Sequence, residues 1–152
     1  MKIQLKTDNI GGCDVRHLDF LEGRIVLKTF VYGKIINSVI DASKKQYQVE
    51  WKHKIANQVF STRNDLQNEN DHYAISLSMM FYADKRKRDV ENYIKPIIDA
   101  IAVGLFTKNK EELDSITEFN KDDSNFNHIY VERLTDTVDP LKQGVAITVS
   151  MI

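Results

Sequence analysis

The chain has 152 residues, which suits one domain able to bury a core of its own. Its formal net charge is −1, so overall charge does not mark a nucleic-acid binder, and any grip on a polyanion must come from local patches. The single cysteine, Cys13, excludes an internal disulfide framework and a cysteine-based zinc cluster, and no apolar run nears the roughly 18 residues of a membrane span.

Residues 1–6 alternate apolar and polar and suit a short strand without the apolar core of a signal peptide, so a cytoplasmic, nucleoid-associated protein is expected. Gly11-Gly12 marks a turn, and residues 7–23 give no clear element. Residues 25–32, rich in Val, Ile, Leu and Phe, predict a strand, and residues 33–43 a connector. Residues 43–60 predict a helix with Ser43 as its N-cap. Tyr47, Trp51, Ile55 and Val59 recur every four residues as a core stripe, with Lys44, Lys45, Lys52 and Lys54 elsewhere. A polar loop at 62–71 leads into a strand at 72–82, where Ala74, Ser76 and Ser78 oppose Ile75, Leu77 and Met79.

A second helical pattern follows, with Ile94, Ile97, Ile98, Ile101 and Leu105 on one face. Pro96 lacks the N–H that would bond residue 92, so either the helix kinks or its regular part begins near Pro96. Residues 107–121 are highly charged and suit a short exposed helix or an insertion. A polar turn at Asp122-Asp123-Ser124-Asn125 precedes strands at 128–134 and 145–152, expected to pair as an antiparallel hairpin. The expected fold class is α/β (α+β): one domain over 1–152, a mixed sheet with two main helices, in the order β-α-β-α-β-β. Residues 1–23 form an N-terminal extension.

The chemistry concentrates at the strand-to-helix junction. Lys85, Arg86, Lys87 and Arg88 run directly into Asp89, Glu91 and Asn92, and Lys95 follows. Cations beside carboxylates suit a protein that grips a phosphate backbone and brings a metal to it. Phosphodiester hydrolysis near neutral pH needs charge neutralised on the phosphate and a water made nucleophilic, which carboxylate-held Mg²⁺ or Mn²⁺ supplies. Positions i and i+2 of a helix diverge, so Asp89 converges with Glu91 only from at or before the N-cap. Ordinary roles exist for the same residues: an N-cap for Asp89, an i, i+4 pair with Lys95 for Glu91, a backbone-bonded amide for Asn92, and turn positions for Asp122 and Asp123. His17, His53, His72 and His128 show no metal spacing and are expected to be structural or surface residues.

The segment from Arg88 through Asn92, Lys95 and Asp99 to Ala100 resembles the signature of RusA-type Holliday junction resolvases: a basic run, Asp-x-Asp-Asn, a lysine three residues on and an Asp four further. The Asp122-Asp123 turn, followed by two strands, matches the family order, and the likeness spans roughly residues 24–152. It implies a Mg²⁺-dependent homodimer, of a kind often carried by phages and prophages, that places paired symmetric nicks in four-way DNA junctions during recombination and repair. It further implies Asp89, Glu91 and Asp123 as metal-binding carboxylates, Lys95 as the catalytic lysine, and Asp99 and Asp122 as supporting acids; Asn92 is expected to support the same site, and the charge of Lys85, Arg86, Lys87 and Arg88 suits them to DNA. Glu91 stands where the family has Asp, and residues 107–121 exceed the usual connector, which leaves Asp114 as a rival to Asp123. The alternatives are a non-catalytic DNA-junction-binding module with a degenerate site, and an interaction protein whose acids only cap and turn.

Overall fold

The computed structural model describes residues 2–84 and 88–152. Among them run β1 (Ile3–Ile10), β2 (Cys13–Phe20), β3 (Arg24–Tyr32), α1 (Lys45–Thr62), β4 (Tyr73–Met80), α2 (Ile94–Phe106), α3 (Lys110–Ser115), β5 (Phe126–Arg133) and β6 (Gly144–Met151). Four strands form a mixed sheet in the order β3-β6-β4-β5, while β1 and β2 pair separately. The strand β6 runs antiparallel to β3 and to β4, and β4 runs parallel to β5. The fold is thus mixed α and β with two main helices, as the sequence predicts.

The N-terminal segment, unassigned from sequence beyond a short first strand and the Gly11-Gly12 turn, carries a β-hairpin of β1 and β2. Ile10 pairs with Cys13 across Gly11 and Gly12, whose φ values of 61° and 80° provide the two left-handed positions of a tight two-residue turn. The signal in β2 is masked because its inward set, Val15 and His17, includes a buried histidine.

The expected β5–β6 hairpin is not formed. Both strands exist, but β6 inserts between β3 and β4, and β5 is an edge strand. Burial accounts for this order: β6 is buried along nearly its whole length, as a central strand must be, whereas β5 is half-exposed. The β4–α2–β5 crossover then makes its strands parallel.

Two expectations for α1 also change. Ser43 lies inside a 3-10 turn (Ala42–Lys44) and caps nothing. Trp51, Ile55 and Val59 are buried, but Tyr47 is 51% exposed. A repeat of four overshoots the 3.6-residue turn by about 40° per step, so the stripe rotates off the core toward the helix start.

The helices cover one face of the sheet. Ile75, Leu77, Met79, Val145, Ile147 and Val149 meet Trp51, Ile55, Val59, Ile97, Ile101 and Leu105 there. The helices α1 and α2 approach so closely at Gly104 that a Cβ would stand 2.7 Å from the Ala56 carbonyl oxygen. Arg63 then donates to the carbonyls of Gly104 and Leu105, capping α2 with a cation at its negative end. The charged 107–121 stretch docks on α1 through the fully buried Leu113, through Phe119 edge-on to His53, and through the His53 ring nitrogen donating to the Ile116 carbonyl at 2.6 Å. No helix among the described residues is long and apolar enough to cross a membrane.

Candidate functional site

The junction between β4 and α2 takes its shape from Asp89 and Pro96. Asp89 is extended, and its carboxylate accepts from the Glu91 backbone N–H at 3.4 Å, capping a 3-10 turn at Val90–Tyr93. The regular α-helix begins only at Ile94, so Pro96 falls in its first turn, where a missing N–H costs nothing. That leaves the Asn92 carbonyl without its helical donor, and the Ser38 backbone N–H takes the place at 2.7 Å. Asp89, Glu91 and Asn92 on this lead-in and Lys95 in the first turn of α2 are all exposed.

Lys95 is the point of convergence. Its ammonium donates to Asp99 at 2.8 Å, one turn along α2, and to Asp123 at 3.4 Å, from the turn before β5. The Asp99 hydrogen bond, reinforced by both carboxylate charges, holds the Lys95 pKa above its ordinary value. The side chain remains 67% exposed, so the cation is oriented yet open to a ligand. Among the described residues Glu91 makes no ion pair with Lys95, and its carboxylate is exposed.

The Asp122-Asp123 turn is fixed from both ends. Asp122 accepts from the Ser124 backbone N–H at 2.9 Å, and that bond, with the Ser124 hydroxyl, lowers its pKa. The Asp123 carbonyl accepts from Phe126 N–H at 3.0 Å, which starts β5 beside β4. Asp114, the rival third acid, sits on α3 and pairs with Lys110 at 3.0 Å.

The basic run divides. Lys85, Arg86 and Lys87 lie outside the described residues. Arg88 is turned inward: its guanidinium is 8% exposed, pairs with Asp84, donates to the Tyr82 carbonyl at 2.9 Å and covers the Phe81 ring. Arg133 covers the same ring and donates to the Arg88 carbonyl at 2.9 Å. Sequence reasoning missed this part of Arg133, since a cation near a strand end carries no local mark of its aromatic partner.

Among the described residues no three His, Cys, Asp or Glu side chains are gathered into a metal-holding group. The donor chemistry nonetheless suits a hard divalent cation: Asp99 and Asp123 already converge on one positive charge, and the Asp89 and Glu91 carboxylates are open to solvent. Comparison with protein-family models, curated proteins and solved structures gives no match to this chain.

Proposed function

We propose that the chain is a Mg²⁺-dependent endonuclease that acts on branched DNA and resolves four-way junctions as a homodimer. The observation that carries this reading is the Lys95 ammonium held between Asp99 and Asp123, directly after the exposed Asp89 and Glu91. Asp89, Glu91 and Asp123 would hold the cation, which when bound supplies charge neutralisation and a more acidic water. Lys95 meets the scissile phosphate and steadies the charge that builds on it. Asp99 keeps that ammonium protonated and aimed. Lys85, Arg86 and Lys87 draw in the DNA backbone, while Arg88 holds the base of the site through Asp84 and Phe81. Two-fold symmetry suits a substrate with two equivalent strands.

A nicking assay tests this on a labelled four-way junction and a matched linear duplex, with Mg²⁺, Mn²⁺ or EDTA. Paired, metal-dependent nicks in the junction alone are expected, and Asp89→Asn is expected to abolish them while sparing junction binding. Full cleavage by Asp89→Asn would reject the site. The separate acids and Glu91 favour, as second reading, a DNA-junction-binding module without catalysis, marked by tight binding without cleavage under every metal.

A further inference from the structure

We propose that the groove between the β3–α1 connection and the first turns of α1 binds an unpaired stretch of DNA strand. A base stacks on Tyr47, and its phosphates lie on Lys34, Lys44 and Lys54. The proposal rests on the reading of the chain as a DNA-acting protein and gives the substrate a second place to bind, beside the acids.

The groove encloses about 800 Å³, within the range of pockets that take a ligand. Arg88 and Tyr93 are part of its lining, so it lies beside the segment that carries Asp89 and Glu91. Its wall is built of two residue types. Tyr47 is 51% exposed and Val39 82%, apolar surface that the fold leaves uncovered. Lys34, Lys44 and Lys54 are exposed and have no ion-pair partner among the described residues, and the carboxylates in the lining are Asp41 and Glu50. Trp51, 4% exposed, also lines the groove, and its indole N–H is buried without a hydrogen-bond partner.

The groove is held in shape without a ligand. Gln48 donates to the carbonyls of Asn37 and Ser38 at 2.9 and 3.2 Å, and Ser38 donates to the Asn92 carbonyl freed by Pro96. Gly33 has φ 149°, and a Cβ there would stand 3.0 Å from the Trp51 ring and 3.1 Å from Lys54 Nζ. Exposed aromatic surface beside cations suits a single strand, which offers both base faces and phosphates, whereas a duplex keeps its base faces stacked inside and offers only phosphates and groove edges. The branch point of a junction is where stacked bases are given up.

Trp51 is the only tryptophan, so its emission reports from the groove wall. The chain would be titrated in EDTA with oligothymidylate and with a blunt duplex of equal length, following Trp51 fluorescence. A saturable change with oligothymidylate and weaker binding of the duplex are expected. Tyr47→Ala should weaken oligothymidylate binding by about tenfold. Replacing Lys34, Lys44 and Lys54 together by Ala should flatten the slope of log affinity against log salt by roughly 2, at about 0.7 per phosphate of single strand. All four side chains are exposed, so unchanged thermal unfolding confirms that these variants fold. An unchanged emission, equal affinity for the duplex, or full affinity in both variants would overturn the proposal. Absence of nicking under every metal, by contrast, overturns the nuclease reading alone.

Discussion

The two faces of the four-stranded sheet are built on opposite principles. Facing the helices, β4 and β6 present Ile75, Leu77, Met79, Val145, Ile147 and Val149. On the reverse they present Ala74, Ser76, Ser78, Ala146, Thr148 and Ser150, all equally buried, beneath the β1–β2 hairpin. There the apolar contribution is a small cluster of Ile10, Val15, Phe30 and Ala146. Polar contacts do the rest: the Leu18 N–H donates to Ser76 Oγ at 2.9 Å, and Asp8 takes both the Lys28 ammonium and a 4.0 Å approach from His17. Small, polar strand residues bring little transfer energy but demand matched partners. The helix face therefore supplies most of the stability, and the hairpin face fixes where the hairpin sits.

Leu77→Ala should expose that division most strongly. Leu77 is fully buried within the helix-side core, and its truncation leaves a cavity that rigid strands and helices cannot close. A loss of about 2–5 kcal/mol is expected in urea unfolding. A loss below about 1 kcal/mol would mean that the helix face is far more plastic than its packing implies.

Glu132 is the corresponding point on the hairpin side. Its carboxylate accepts from the Arg16 backbone N–H at 2.9 Å, the Arg16 guanidinium at 2.9 Å, Ser78 at 2.8 Å and Tyr130 at 3.2 Å. Burial pushes its pKa up, but the bonds from Arg16 and Ser78 outweigh burial and hold it below 4.5. A carboxylate depressed by folding contributes stability that is complete above its unfolded pKa and lost as pH falls through the lower folded value. Glu132→Gln should cost about 1–3 kcal/mol at pH 7 and flatten the fall in stability below pH 4.5. A wild-type acid limb preserved in Glu132→Gln would show that other carboxylates set it.

Much of this architecture is legible in the residues. The apolar, β-branched run at 25–32 locates β3, the period-2 run at 72–82 locates β4, and the apolar stripe from Ile94 to Leu105 locates α2. Asp89 is marked as a cap by its residue type, and of the two readings that Pro96 allows, a kink or a regular helix that starts near it, the structure has the second. What stays hidden is pairing at a distance. Nothing local says that β6 lies between β3 and β4, or that Ser76 and Ser78 face a hairpin rather than water. The same holds at the candidate site. The i, i+4 spacing places Asp99 beside Lys95, but the arrival of Asp123 depends on β5 pairing parallel to β4, and the inward turn of Arg88 depends on Phe81.

Ser76→Ala should have the smallest effect of the three, and it bears most directly on the comparison. Ser76 and Leu77 are neighbours in one strand, equally deep, on opposite faces. Removing the Ser76 hydroxyl deletes little volume but leaves the Leu18 N–H without its acceptor. A net hydrogen bond is worth about 1 kcal/mol, so global stability should fall by roughly that much. The effect should also be local. Amide exchange at Leu18 should accelerate, while amides of α2 follow only the small global change. If Ser76→Ala destabilised the chain as much as Leu77→Ala, the hairpin would be as integral to stability as the helices. If Leu18 exchange were unchanged, that hydrogen bond would not be what holds β2 over β4.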